Sequence, residues 1–67
     1  MKTSTIYVCL DNEREYNKVF NARTVGEAIY LSGFDAEGRI IYLNDKEITD
    51  TNVSVENGNV IEISVKF

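Results

Sequence analysis

The sequence predicts an α+β domain, in which a mixed sheet of four to five strands carries one helix on one of its faces. Only the stretch from Thr24 to Phe34 has the features of a helix, with both a start and a stop signal. The segments on either side alternate with the period of two that is typical of strands. A helix of about two turns is unstable alone in water and needs a sheet to pack on. Sixty-seven residues are enough for a single domain, 1–67.

The predicted helix begins at a capping box, because Thr24 is followed three residues later by Glu27. The Thr24 hydroxyl is expected to accept from the Glu27 amide, and the Glu27 carboxylate to accept from the Thr24 amide. Gly33 is expected to end the helix in a left-handed conformation, with Phe34 folding back over Ile29. At 100° per residue one face is mostly apolar and should meet the sheet; it consists of Val25, Ala28, Ile29 and Ser32.

Five segments are predicted to be strands from their alternation and their β-branched and aromatic content. They are Thr5–Leu10, 16–20, 39–43, Lys46–Ile48 and 60–67. Turn residues separate them, including a tight Asn44-Asp45 turn with positive φ. The facing of the second strand stays open, since Tyr16 and Phe20 share one face and Val19 lies on the other. The stretch 49–55 is predicted to be a loop anchored by Val53 and Val55.

One compact arrangement readily accommodates elements in the order β-β-α-β-β-β. The first and last strands run parallel as neighbours at the sheet centre, the opening hairpin flanks one edge, and the third strand flanks the other. The helix then crosses one face diagonally. This is the β-grasp.

Three segments resemble the ubiquitin-like sulfur carriers, the family of the thiamine-pathway carrier and the molybdopterin synthase small subunit. Thr24-Val25 with Glu27, Ala28 and Ile29 resembles their helix start. Residues 41–48 resemble their strand–Val-Asn-Gly–strand segment, and 55–63 resemble their Asp-Gly-Asp turn and closing strand. The resemblance implies a ubiquitin-like β-grasp fold. A similar closing strand occurs in TGS domains of RNA-linked synthetases and GTPases, which share that fold.

The sequence departs from the sulfur carriers at its end. Those proteins continue into a flexible Gly-Gly whose terminal carboxylate is adenylated and converted to a thiocarboxylate. Here the sequence reads Ser64-Val65-Lys66-Phe67, which is bulky and predicted to be strand. The resemblance therefore implies the fold, and two alternative functions stay open: a sulfur carrier whose Gly-Gly tail is missing, and a TGS-like regulatory module linked to nucleotides or RNA.

Composition argues against several classes of function. The net charge of −4 argues against nucleic acid, because phosphate contacts need a positive face. The chain has one cysteine and no histidine, so no internal disulfide and no zinc site are expected. No apolar run approaches a membrane span and no secretory segment is recognisable, so a cytoplasmic, soluble protein is expected. We find no cofactor motif and no catalytic constellation, and expect a protein that is not an enzyme.

The remaining candidate is the sheet face opposite the helix. Period two sends Tyr7, Cys9, Tyr42, Ser64 and Lys66 there, with Ile40, if the alternate residues fill the core. Such a tyrosine-rich apolar patch is typical of contact sites, although cross-strand pairing that only stiffens the sheet is the alternative. Cys9 is expected to be a passive surface or interface thiol. We therefore expect a non-enzymatic module that binds another protein, or a second copy of itself; the candidate residues are Tyr7, Cys9, Ile40, Tyr42 and Lys66.

Overall fold

A computed structural model describes residues 3–10 and 16–64 of the chain. Its elements are β1 Thr5–Leu10, β2 Asn17–Phe20, α1 Val25–Ser32, β3 Ile41–Leu43, β4 Lys46–Ile48 and β5 Val60–Ile63. The five strands form one sheet in the order β2-β1-β5-β3-β4. β1 and β5 are parallel and the other neighbours are antiparallel. The protein is thus a small α+β domain with a mixed five-stranded sheet and one helix, compatible with the β-grasp, and the predicted strand order is confirmed.

Two strands are shorter at their starts than predicted. β2 begins at Asn17, one residue later than expected. β3 begins at Ile41, because the Arg39 amide donates to the Ala36 carbonyl at 3.0 Å in a turn that contains Gly38 at φ 74°. β5 ends at Ile63, so the prediction that the strand includes Ser64 is wrong, and its predicted continuation over 65–67 lies outside the described residues.

The facing of β2, which the sequence left open, is decided by Val19. Consecutive pairs run from Thr5↔Phe20 to Val8↔Asn17, so that no bulge interrupts this part of the ladder. Val19 pairs with Ile6 and is only 3% exposed, whereas Phe20 is 55% exposed. The buried Val19 on the helix side therefore places Phe20, and Tyr16 just before β2, on the other side.

The core lies between the sheet and α1. Its apolar residues come from β1, β2, β3 and β5, from Ala22 after β2, and from the predicted face of the helix. Leu10 and Leu43, which strand alternation also places on the core side, are only partly buried and pack against the core. The largest fully buried side chains are Ile6, Val8, Val25, Ile61 and Ile63.

The start of α1 is capped nearly as the sequence predicts. The Thr24 side chain accepts from the Glu27 amide at 3.2 Å, with Thr24 in an extended conformation. The Glu27 carboxylate accepts from the amide of Arg23 at 2.9 Å, not from that of Thr24 as expected. The reciprocal bond is therefore made one residue earlier in the chain.

Backbone carbonyls of the loop after β4 accept hydrogen bonds from the first two amides of α1. Val25 donates to the Val53 carbonyl at 3.0 Å, and Gly26 donates to the Thr51 carbonyl at 2.9 Å. Thr24 also forms a bridge with Ser54. The polar stretch 49–55 thus holds the helix start by its backbone, while Val53 and Val55 pack against the core as predicted.

The end of α1 uses a serine hydroxyl in addition to the predicted glycine. Gly33 is left-handed, at φ 85°, and its amide donates to the Tyr30 carbonyl at 3.3 Å. The Ser32 hydroxyl donates to the Ile29 carbonyl at 2.6 Å and accepts from the Phe34 amide at 3.2 Å. In a Schellman motif Phe34 would donate to Ile29 directly. Here the Ser32 hydroxyl bridges the Ile29 carbonyl and the Phe34 amide, and Phe34 still packs against the core.

Candidate functional site

The candidate site is the sheet face opposite α1, called here the open face. Because Ile6, Val8, Val19, Ile61 and Ile63 point into the core, the alternate residues of the same strands point away from it. Register then sets the neighbours across the sheet: Tyr7 lies between Lys18 and Val60, and Tyr42 lies between Glu62 and Glu47. The open-face residues of the strands are Thr5, Tyr7, Cys9, Lys18, Phe20, Tyr42, Glu47, Val60 and Glu62.

Aromatic side chains are concentrated on this face. The chain has four tyrosines and three phenylalanines, and Tyr7, Tyr42, Phe20 and Tyr16 all belong to it. The rings of Tyr7 and Tyr16 meet edge to face, with centroids 6.1 Å apart and planes at 85°. Tyr16 is 52% exposed and Phe20 is 55% exposed. More than half of the chain's aromatic residues therefore lie on the sheet face opposite α1.

The predicted site residues divide into three groups. Tyr7 and Tyr42 are half-buried, and Ile40 is 40% exposed beside the start of β3. Cys9 is only 5% exposed, so the expectation of a surface cysteine is wrong. Lys66 lies outside the described residues. Tyr7, Tyr42 and Ile40 are thus accessible to a partner, and their use as a contact surface stays a prediction.

The burial of Cys9 has a simple cause. Its position in the central strand β1 faces away from the core, but it pairs in register with Glu62. Glu62 and Tyr16 line the same pocket as Cys9, and both have much longer side chains. A small side chain between longer neighbours is covered even on an open face. Ser64, also assigned to this face, is likewise only 7% exposed.

Two residues of the open face, Tyr16 and Phe20, are not among the predicted site residues, because alternation alone does not decide the facing of β2. The sequence does contain an indication of which side of β2 faces the core. A strand beside β1 must contribute to the same core, and Val19 is the one residue of Asn17–Phe20 that is β-branched and apolar. Choosing Val19 as the core residue would have placed both aromatic residues outside.

A pocket of about 430 Å³ opens within this face. Its lining comes from the end of β1, from Val60 and Glu62 of β5, from Tyr16 just before β2, and from the Asn44-Asp45 turn between β3 and β4. The turn is held in place, since the Asn44 amide donates to the Val60 carbonyl at 2.8 Å and the Asn44 side-chain oxygen accepts from the Val60 amide at 2.9 Å. The described residues that line the pocket are Cys9, Leu10, Tyr16, Asn44, Asp45, Val60 and Glu62.

Comparisons with models of protein families, with curated proteins and with solved structures find no match for this chain.

The described part of the pocket lining is acidic. Asp45 and Glu62 line it, and within residues 3–10 and 16–64 no lining residue carries a positive charge. Neither carboxylate makes an ion pair with another residue of the described part of the chain. Glu47 adds a third acid beside Tyr42. Lys18, the basic residue of β2, lies across Tyr7 on the side away from the Asn44-Asp45 turn.

The described residues offer little for other kinds of site. They contain no group of three or more histidine, cysteine, aspartate or glutamate residues that could hold a metal ion. None of their helices could cross a membrane, because α1 has eight residues and a span needs about 20. The helix carries a separate exposed pair, with Tyr30 82% and Leu31 54% exposed. Tyr30 provides a tyrosine on the surface opposite the open face.

Proposed function

We propose that the chain is a ubiquitin-like β-grasp module, not an enzyme, which binds a partner protein through its open face. The observation that carries the proposal is the concentration of Tyr7, Tyr16, Phe20 and Tyr42 on the sheet face that α1 leaves uncovered. Aromatic residues are enriched in protein interfaces and supply most of their hot spots. The strand order and the single helix support the β-grasp assignment.

Stiffening of the sheet accounts for only part of this arrangement. Tyr7 and Tyr16 form a cross-strand aromatic pair, which stabilises the hairpin. No other aromatic pair is present among the described residues. Phe20 pairs with Thr5, and Tyr42 lies between two glutamates, so neither ring has an aromatic partner. An exposed phenylalanine and an isolated tyrosine on one face favour contact with another molecule.

The two alternatives from the sequence, a sulfur carrier and a TGS-like module, are supported by the resemblance alone. Both would share the fold proposed here. Nothing among the described residues favours either one over a binding module.

The test replaces Tyr42 by arginine and compares it with Tyr30→Arg. An arginine at 42 is compatible with folding, because its register neighbours are Glu62 and Glu47. On the open face it should oppose burial of the aromatic patch by a partner, costing on the order of 2 kcal/mol or more of binding. The same substitution at Tyr30, which is 82% exposed on α1, should leave binding unchanged.

Binding is measured in two ways with the wild-type chain and both variants. Light scattering gives the mass of any self-associated species, and capture from native lysate with mass spectrometry gives the partner proteins. Loss of a captured partner, or of a dimer, with Tyr42→Arg but not with Tyr30→Arg supports the proposal. Unfolding by Tyr42→Arg would make this residue part of the core, and unchanged mass and capture would make the patch structural. Either result overturns the proposal.

A further inference from the structure

We propose that the pocket beside the Asn44-Asp45 turn receives an arginine side chain of the partner protein. This inference rests on the proposed function, because it assigns the chemistry that the partner presents to the open face. The proposed occupant is the arginine side chain of a polypeptide.

The dimensions and position of the pocket fit such a side chain. A volume of about 430 Å³ lies at the lower end of the range of roughly 300–1,000 Å³ that is usual for ligand sites. Its lining includes Val60 and the buried Cys9, which lie in the neighbouring strands β5 and β1. The pocket is also continuous with the aromatic patch, since Tyr7 pairs with Val60 and Tyr42 pairs with Glu62. A partner chain lying on the patch can therefore place one side chain in the pocket.

The charges of the described lining residues favour a cationic ligand. Asp45 and Glu62 both line the pocket, and no residue of the described lining neutralises them. Glu62 is half-buried, so a cation bound beside it is less screened by solvent than at an exposed carboxylate. The chain as a whole has a net charge of −4. This acidity attracts a basic partner and opposes approach of a second acidic copy.

Arginine fits the lining better than lysine does. Its planar guanidinium can stack on an aromatic ring and can donate two N–H groups to one carboxylate at once. Tyr16 supplies an aromatic residue among the lining residues, and Asp45 and Glu62 supply the carboxylates. An ammonium group would pair with the acids but would lose the planar, two-point contact.

The experiment titrates the ¹⁵N-labelled chain with three short peptides and follows its amide spectrum. The peptides are Ac-Ala-Arg-Ala-NH₂, the lysine version and the citrulline version, in which the urea group keeps the shape of guanidinium without its charge. We expect the arginine peptide to shift the amides of Cys9, Asp45, Val60 and Glu62. It should bind about fivefold more tightly than the lysine peptide and at least tenfold more tightly than the citrulline peptide.

Matched variants test the two carboxylates without changing the fold. Glu62→Gln and Asp45→Asn each remove one charge, and asparagine suits the positive φ of 70° at position 45. Each should weaken the arginine peptide about fivefold. Glu37→Gln, in the loop between α1 and β3, is the control and should have no effect.

The outcomes separate this inference from the proposed function. Equal binding of the arginine and citrulline peptides, shifts located away from the pocket, or no effect of Glu62→Gln would overturn the pocket assignment. Tighter binding of the lysine peptide would overturn the choice of arginine. If Tyr42→Arg still abolishes partner capture in those cases, the proposed function stands alone. If the arginine peptide binds in the pocket while Tyr42→Arg changes no capture, the pocket assignment stands and the proposed function fails.

Discussion

Replacing Ile29 by aspartate should unfold the domain, whereas the same change at the next residue should be tolerated. Ile29 is 7% exposed in the face of α1 that packs into the core. Its neighbour Tyr30 is 82% exposed on the same turn of the helix. The two substitutions introduce the same side chain one position apart, so that they differ chiefly in burial.

The magnitudes separate the two variants clearly. A chain of this length has an unfolding free energy on the order of 3–10 kcal/mol, at about 0.05–0.15 kcal/mol per residue. Removing the buried Ile29 side chain costs about 2–5 kcal/mol, and an unpaired carboxylate there costs several kcal/mol more. The sum reaches or exceeds the whole stability. An aspartate at position 30 near the end of α1 opposes the helix dipole by only about 0.3–1 kcal/mol.

Circular dichroism melts and urea titrations of the two variants and the wild-type chain provide the assay. Ile29→Asp should show no cooperative transition at 25 °C. Tyr30→Asp should melt cooperatively, within about 8 °C of the wild type, since 1 kcal/mol corresponds to about 4–8 °C in a domain of this size. Equal melting temperatures for the two variants would show that the helix face is assigned incorrectly.

Two further substitutions test the local signals that set the fold. Thr24→Ala removes the hydroxyl that accepts from the Glu27 amide at 3.2 Å and should cost about 1 kcal/mol, or roughly 4–8 °C in thermal melts. Thr24→Ser keeps the cap and should melt near the wild type; if the two variants melt together, the cap contributes nothing. Asp45→Gly should raise the melting temperature by roughly 2–5 °C, because Asp45 sits at φ 70° in a two-residue hairpin turn. Asp45→Ala, which keeps a Cβ at that φ, should give no increase, and an equal increase from both would refute the backbone explanation.

Local signals in the sequence were sufficient for most of the fold. The capping box at Thr24 and the glycine at 33 predict both ends of α1, because caps are short-range hydrogen-bonding patterns. The Asn44-Asp45 pair predicts the β3–β4 turn, and both residues have positive φ. The facing of β2 was not predictable in the same way. Its pattern gives two aromatic residues against one valine, and only packing against Ile6 decides that the valine is inside.

The site was less predictable, because exposure is a property of neighbours and not of strand alternation. Alternation correctly separates the open face from the core, but it cannot tell that Cys9 is covered while Ile40 is not. Cys9 lies in a central strand opposite Glu62, whereas Ile40 lies before the start of β3. The pocket likewise depends on which residues become neighbours across the sheet. It brings together Tyr16, Asp45 and Glu62, which are far apart in sequence and meet only through the strand order β2-β1-β5-β3-β4. Each of these residues alone is an ordinary surface side chain, and the acidic pocket follows from the parallel pairing of β1 with β5 between the two hairpins.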